Sequence, residues 1–281
     1  MFTDAHCHPY DLAAFFPEAE DERRRLGLIC VSSTSSLEEF EYHEHLSLQA
    51  KADNAAPMLL CFAVHPAKLH AINNEQLTMN TRELEKSKEN LVYDSIEILD
   101  TLAAQGKLVA VGETGFDLYN AAFRETEKWQ DEMFAAHLET ALHYDLPLVI
   151  HVRRAMHKIF AYSVELKKCR AVIFHSWPGT VGEGEALLKR GINAFFSFGT
   201  TVLLNHREVM RCCSVFTADH LLTETDAPFQ PLRGRKYSTY ADITNILAAI
   251  AALRGEAGKD GSGLEELENI IEINFRNVFG L

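Results

Sequence analysis

Histidines and carboxylates with metal-ligand spacing begin at the start of this sequence, in the run Asp4-Ala5-His6-Cys7-His8. In a β-strand, side chains two residues apart point to the same face, so we expect His6 and His8 to present two imidazoles to one metal ion. Asp4 shares that face and is expected to orient an imidazole from behind. A His-x-His pair is a weak signal by itself, so its meaning depends on the rest of the chain.

The elements that must position such ligands are short apolar runs separated by longer segments with helical periodicity. Eight of these runs predict β-strands, over residues 2–6, 28–33, 58–64, 108–113, 146–151, 171–175, 193–198 and 221–226. Several are almost continuously apolar, which is typical of parallel strands covered by helices. The alternation predicts an α/β protein with the (β/α)8 TIM barrel fold, and residues 1–281 are expected to form a single domain.

Three segments between the strands carry more specific expectations. Residues 69–102 exceed what one helix requires and predict a surface insertion after the third strand, with a helix over residues 91–102. Residues 269–279 predict a closing amphipathic helix, and residues 255–263 predict a turn before it. His43 and His45 lie two apart on a predicted helix, so they point to different sides and are expected to be solvated.

Polar residues stand at the carboxyl ends of the predicted strands: Glu113 ends the fourth, His151 the fifth, His175 the sixth and Asp226 the eighth. In a barrel these ends meet at one rim, where active sites lie. Together with the first pair they make four imidazoles and two carboxylates, which is more than one tetrahedral ion uses. We therefore expect two divalent metal ions, bound by His6, His8, Glu113, His151, His175 and Asp226.

The six expected ligands divide by neighbourhood into His6, His8 and Asp226 for one ion, His151 and His175 for the other, and Glu113 as the bridge. A hydroxide between two cations would be the nucleophile, and Asp226 would take its proton, so Asp226 and Glu113 are the predicted catalytic residues. Imidazole and carboxylate ligands suit zinc, manganese or iron better than calcium, while nucleases commonly use magnesium, so the identity of the ion stays open.

Histidine and arginine or lysine side chains near the same rim are candidates for substrate binding. His65 follows the third predicted strand and Arg153 shares the face of His151, so either is expected to hold a phosphate oxygen. The alternatives are a hydrogen bond at a helix start for His65 and a structural salt bridge for Arg153. The run Arg233-Gly234-Arg235-Lys236 after the eighth strand is expected to bind a phosphate backbone, or else to be a solvated loop.

Six motifs follow one another along the chain: Asp4-Ala5-His6-Cys7-His8, Ala63-Val64-His65-Pro66, Val111-Gly112-Glu113-Thr114-Gly115-Phe116-Asp117, His151-Val152-Arg153, Phe174-His175-Ser176 and Glu224-Thr225-Asp226-Ala227-Pro228. In order and spacing they resemble the TatD family of metal-dependent hydrolases, over the whole chain apart from residues near 69–102. The resemblance implies a divalent-metal barrel that removes nucleotides from DNA ends, with the same six ligands. Glu224, like Asp4, is expected to support a ligand. Trp177 departs from the family pattern and is expected either to stack a base or to fill the pocket.

Composition limits the classes of function. A formal net charge of −13 excludes an extended nucleic-acid surface, so any contact with DNA or a small phosphoester must be local. The six cysteines show no CxxC pair, which predicts reduced thiols and a cytoplasmic protein. No apolar segment approaches the length of a membrane span, so no membrane association is expected, and nothing predicts an obligate protein partner.

Two other functions stay open at this level. An amidohydrolase-like enzyme acting on a lactone, cyclic amide or other ester would use the same metal-hydroxide attack. A carboxylated lysine bridge is common in that broader class, and here Glu113 ends the fourth strand instead, which favours a phosphodiesterase. A non-catalytic scaffold that binds a protein through its acidic surface is the third possibility, and the complete ligand set argues against it.

Overall fold

Eight parallel strands form one sheet in the computed structural model, which describes residues 1–75, 81–255 and 262–281. Each strand pairs in parallel with the next one along the chain. This confirms the predicted α/β barrel. The strands are β1 (Thr3–Cys7), β2 (Ile29–Thr34), β3 (Met58–Phe62), β4 (Ala110–Asp117), β5 (Leu148–Arg153), β6 (Val172–Phe174), β7 (Ala194–Phe198) and β8 (Leu221–Thr223).

Helices connect the strands, as crossovers between parallel strands require. None of the helices within the described ranges is both long and apolar enough to cross a membrane. Two 3₁₀ turns, Thr200–Leu204 and Ala218–His220, lie between β7 and β8. The helices are α1 (Pro9–Phe15), α2 (Ala19–Leu26), α3 (Leu37–Ala52), α4 (Pro66–Glu75), α5 (Thr81–Ala104), α6 (Ala121–Arg124), α7 (Glu127–His143), α8 (Met156–Ala161), α9 (Ser163–Leu166), α10 (Val181–Lys189), α11 (Arg207–Val215), α12 (Asp242–Arg254) and α13 (Ser262–Phe279).

The interior of the barrel is one apolar cluster with members from all eight strands. Its strand residues include Ala5, Val31, Leu59, Ala110, Val149, Ile173, Phe195 and Leu222. Phe275 and Phe279 of α13 join the same cluster and are buried. The interior is therefore a packed core, and polar chemistry is left to the carboxyl ends of the strands.

Hydrogen bonds join β1 to the segment that follows β8, and we call this junction the seam of the barrel. The backbone N–H of Asp226 donates to the His6 carbonyl at 3.0 Å. The Asp4 carboxylate accepts hydrogen bonds from the Thr225 backbone N–H at 3.0 Å and the Thr225 hydroxyl at 2.6 Å. The seam thus places residues from the two ends of the chain beside each other.

The interval predicted as a surface insertion contains α4 and α5, apart from residues 76–80, which lie outside the described ranges. Helix α5 begins at Thr81, ten residues before the predicted start at 91. It packs along α7, where the Trp129 Nε1–H donates to Glu85 Oε2 at 3.0 Å, and Leu99 is fully buried. Part of the interval is therefore a packed barrel helix, because its second half carries apolar residues at helical spacing.

Two smaller expectations also differ from the structure. The closing helix α13 begins at Ser262 rather than at residue 269, and most of the turn predicted over residues 255–263 falls outside the described ranges. His43 is fully buried, and its Nε2 accepts a hydrogen bond from the Tyr10 backbone N–H at 2.9 Å. The expectation of a solvated His43 is wrong because α1 covers that face of α3, whereas His45 is exposed as expected.

Candidate active site

A cleft of about 1130 Å³ opens at the carboxyl ends of the strands. Glu113 lies at its centre, where its Oε2 is 3.2 Å from His6 Nε2 and 3.7 Å from His8 Nε2. Its Oε1 faces three further imidazole nitrogens: His151 Nδ1 at 2.9 Å, His175 Nε2 at 3.1 Å and His65 Nε2 at 3.2 Å. The structure thus gathers five histidines around one buried carboxylate.

His6 and His8 come together differently from the prediction, because β1 ends at Cys7. His8 is instead the residue before α1, and Pro9 starts that helix at once, since proline suits a first helical position. The two Nε2 atoms are nevertheless 3.1 Å apart. A strand end and a helix start therefore present the two imidazoles to one point.

Asp226 completes the group from the other side of the seam. Its Oδ1 is 3.4 Å from His8 Nε2 and 3.7 Å from His6 Nε2. Its Oδ2 accepts a hydrogen bond from Gln230 Nε2 at 2.7 Å, a partner that the sequence analysis missed. Burial raises the pKa of Asp226, but the hydrogen bond with His8 and the neighbouring imidazoles outweigh burial, and the pKa lies below its ordinary value.

The two carboxylates expected to support ligands behave differently. Glu224 Oε1 lies 3.3 Å from His175 Nδ1 and accepts hydrogen bonds from the Ser176 backbone N–H at 2.7 Å and hydroxyl at 2.6 Å. Within the described residues, the Asp4 carboxylate accepts hydrogen bonds from the His6 backbone N–H and from the Thr225 backbone N–H and hydroxyl, and from no imidazole ring. The expected orientation of an imidazole by Asp4 is therefore corrected: its role is to hold β1 against the segment after β8.

Asp117 is a second residue that the sequence analysis missed, because β4 continues four residues past its predicted end at Glu113. Its buried Oδ2 lies 3.5 Å from His151 Nε2 and 2.6 Å from Arg153 Nη2. The Arg153 guanidinium also stacks over the Tyr119 ring, 4.4 Å from its centroid. Asp117 thus links a candidate ligand to a cation that lines the cleft.

The other predicted substrate-binding residues lie in different places. His65 lines the cleft beside Glu113, and its Nδ1 also accepts a hydrogen bond from the Ala67 backbone N–H at 3.0 Å. Arg233, Arg235 and Lys236 are exposed but are not among the residues lining the cleft, and Arg235 Nη1 pairs with Asp242 Oδ1 at 2.6 Å.

Trp177 forms part of the cleft wall. It is buried, and its ring packs edge-to-face against Phe196 at 4.7 Å and Phe174 at 5.3 Å between centroids. The indole is therefore occupied by core packing, which matches the pocket-filling alternative.

The carboxylates and imidazoles of the cluster shift one another's pKa values. Burial raises the pKa of Glu113, but the charges of His65, His175 and His6 outweigh it and hold the pKa well below its usual range. For His6 and His65, burial is the largest cause and lowers the pKa. For His8, His151 and His175, burial also acts to lower the pKa, but the neighbouring carboxylates outweigh it and the pKa is raised. Glu113 is therefore an ionised carboxylate, and binding of a metal ion would require the surrounding imidazoles to be neutral.

Among the residues that the structure describes, three groups of donors lie close enough to hold metal ions, with the ligand atoms of each group within 4.8 Å of one another. The groups are His6, His8 and Glu113; His6, His175 and Asp226; and His65, Glu113 and His151. Glu113 and His6 each belong to two groups. Imidazole and carboxylate donors fit zinc, manganese or iron by their chemistry, so the residues present suit a metal centre.

Comparisons with known proteins identify a family for this chain. Residues 3–280 match the family model described as TatD related DNase. The uncharacterized metal-dependent hydrolase YjjV of Escherichia coli (strain K12) is 26% identical over 239 residues, covering 83% of this chain and 82% of that protein. The 3'-5' ssDNA/RNA exonuclease TatD of Pantoea vagans is 32% identical over 198 residues, covering 66% of this chain and 73% of that protein.

Structural similarity extends over the whole fold. The crystal structure of YjjV, a TatD homologue from Escherichia coli K12, covers 100% of this chain and 98% of its own with a TM-score of 0.76 at 22% identity. That level of identity shows a shared fold, and the family match adds the membership. The chain therefore belongs to the TatD-related DNase family and is a metal-dependent hydrolase.

Proposed function

We propose that this hydrolase is a phosphodiesterase that removes nucleotides from DNA, with two divalent metal ions at the cleft. The observation that carries the proposal is the position of Glu113, whose two oxygens face two separate sets of imidazoles. A carboxylate between two donor sets is what a bridged pair of ions requires. The names of its relatives, which include a 3'-5' ssDNA/RNA exonuclease, support the choice of substrate.

Two sets of residues would hold the ions. The first set is His6, His8 and Asp226, and the second set is His151 and His175, with Glu113 shared. His65 is an additional donor for the second set, because its Nε2 is 3.2 Å from Glu113 Oε1. Magnesium, manganese or zinc, once bound, would lower the pKa of a water nucleophile and polarise a phosphoryl oxygen.

Asp226 is the group that we propose to accept the proton of the attacking water. Its Oδ1 faces the imidazoles of the first set, while Gln230 holds the other oxygen at 2.7 Å. The hydrogen bond fixes the plane of the carboxylate, so that one oxygen stays directed to the centre of the cleft. A general base needs this geometry before its pKa matters.

Arg153 is the side chain that we propose to hold a non-bridging phosphate oxygen. Its guanidinium lines the cleft and is 45% exposed, while Asp117 and the rings of Tyr119 and Phe123 restrict its position. A guanidinium preset in this way makes charge-assisted hydrogen bonds without losing much side-chain freedom. Asp117 is thereby proposed as a positioning residue for both Arg153 and His151.

A reducing compartment is proposed from the thiols. All six cysteines are buried and none forms a disulfide. Buried reduced thiols are typical of cytoplasmic proteins, so we propose a cytoplasmic location.

The test of the proposed function is hydrolysis by metal-stripped protein to which magnesium, manganese or zinc is returned. We expect release of nucleotides from a single-stranded oligonucleotide, dependent on the added ion. A lactone and a cyclic amide are assayed in parallel under the same conditions. Turnover of either carbonyl substrate, with no cleavage of the oligonucleotide, would replace the phosphodiesterase by an amidohydrolase-like activity.

A further inference from the structure

The loop after β8 begins at the cleft and leads away from it. Phe229 lines the cleft, and the centroid of its ring is 5.0 Å from that of His8. The loop closes on itself at Ser238, whose backbone N–H donates to the Pro228 carbonyl at 3.0 Å and whose hydroxyl donates to the Phe229 carbonyl. Residues 229–238, here called the basic loop, are therefore anchored at a base beside the candidate metal ligands.

Phe15 at the end of α1 and Phe16, the residue after it, stack on the end of this loop. The Tyr237 ring is 5.9 Å from Phe15 and 6.2 Å from Phe16 between centroids, with interplanar angles of 27° and 24°. Phe15 is 58% exposed, and Phe229 at the cleft is 47% exposed. Helix α1 starts directly after His8 and is about 10 Å long, which equals about three steps between stacked bases of 3.4 Å each. The exposed rings thus lie at increasing distance from the same ligand.

The basic loop also carries three cationic side chains, those of Arg233, Arg235 and Lys236. Arg233 and Lys236 are exposed, and neither has a carboxylate partner among the described residues, whereas Arg235 is paired with Asp242. Two exposed cations on the loop that begins at Phe229, together with the exposed rings of Phe229 and Phe15, are the combination that binds single-stranded nucleic acid, since bases stack on the rings and phosphates pair with the cations. A duplex already stacks its bases internally and cannot use the rings in this way.

We infer that the basic loop and the end of α1 form a platform for single-stranded nucleic acid outside the cleft. Phe229 stacks the base next to the cleft, Phe15 stacks a base farther along the strand, and Arg233 and Lys236 bind the phosphates between them. The inference rests on the proposed phosphodiesterase function and deepens it, because it names a strand of several nucleotides as the substrate.

The test measures binding of a fluorescent twelve-nucleotide thymidine strand with phosphorothioate linkages, which resist cleavage, to the metal-loaded protein. Loss of one stacked base weakens binding about tenfold, so we expect Phe15→Ala to raise the Kd by about that factor. Tyr93→Ala is the matched control, because Tyr93 is also an exposed aromatic residue but lies on α5. A uridine strand of the same length distinguishes RNA from DNA as the source of the bases.

Charge is tested by the salt dependence of the same Kd. The double variant Arg233→Gln with Lys236→Gln is expected to lower the slope of log K against log salt by about 0.7 for each lost phosphate contact. The exposed Lys189→Gln on α10 is the control. Equal effects of Phe15→Ala and Tyr93→Ala, an unchanged slope, or equal binding of single strand and duplex would overturn the platform.

Failure of the proposed function is recognised separately. Wild-type protein is assayed for hydrolysis of bis(p-nitrophenyl) phosphate, a diester too small to reach the platform. Absence of this hydrolysis together with platform-dependent strand binding would refute the phosphodiesterase and retain a nucleic-acid-binding surface. Hydrolysis with no effect of Phe15→Ala on strand binding would retain the enzyme and refute the platform.

Discussion

Replacement of Arg153 by glutamine tests how the cleft recognises phosphate. One of the five guanidinium N–H groups donates to Asp117 at 2.6 Å, the side chain is 45% exposed, and the remaining donors are available to a ligand in the cleft. A hydrogen bond from a charged donor contributes about 2 kcal/mol, which corresponds to about thirtyfold in kcat/KM. We therefore expect Arg153→Gln to lower kcat/KM for a phosphodiester by about that factor.

Arg154 provides a matched control for this measurement. Its guanidinium also stacks on Tyr119, at 4.6 Å, and its Nη1 donates to the Tyr119 carbonyl at 3.0 Å, but it is not among the residues lining the cleft. Arg154→Gln removes the same charge and is expected to change kcat/KM by no more than about twofold, which corresponds to about 0.5 kcal/mol.

The assay is steady-state hydrolysis of a phosphodiester with saturating metal, and the metal content of each variant is measured to detect loss of ligands through Asp117. Arg153→Lys retains the charge without the planar fork, so we expect it to recover only part of the loss. Equal activity of Arg153→Gln and Arg154→Gln, at equal metal content, would refute the role of Arg153.

Two further predictions concern stability. Arg23 is buried and donates to three backbone carbonyl oxygens, so Arg23→Met is expected to lower the free energy of unfolding by about 3 kcal/mol. Arg24 also pairs with Glu20 but lies at the surface, so Arg24→Met is expected to lower the same free energy by less than about 1 kcal/mol. Urea denaturation measures both, and equal losses would contradict the difference. Burial lowers the pKa of His137 to about 3, so below pH 6.5 the unfolded chain binds a proton that the folded protein does not. Between pH 8 and pH 5 this difference lowers the free energy of unfolding by about 2 kcal/mol, and the gap between wild type and His137→Gln, followed by denaturation at each pH, should narrow by that amount.

The positions of the candidate ligands were predictable because polar residues that follow buried apolar runs lie towards the carboxyl ends of barrel strands. Glu113, His151 and His175 needed only this rule and the parallel order of the strands. Asp117 was not found, because the prediction ended β4 at Glu113, whereas Asp117 still pairs with Arg153 of β5. Its even spacing from Glu113 was the available signal, since residues at even spacing share a strand face.

Contacts between distant segments were not predictable from local patterns. Gln230 reaches both Asp226 and the Ser176 hydroxyl, 54 residues away in the chain. Asp4 turned out to hold the seam, because Thr225 offers a backbone and a side-chain donor there. Such partners depend on how the barrel closes, which the sequence pattern of a single strand does not contain.

The most direct test of the central claim, a bridged pair of metal ions at Glu113, is to measure bound metal and phosphodiester hydrolysis together in wild type and Glu113→Gln. The account predicts about two divalent ions per chain in active wild type and, in a folded Glu113→Gln variant, loss of bound metal and of hydrolysis together. Circular dichroism establishes that the variant is folded. Full hydrolysis by chelator-treated wild type, or by Glu113→Gln, would contradict the account.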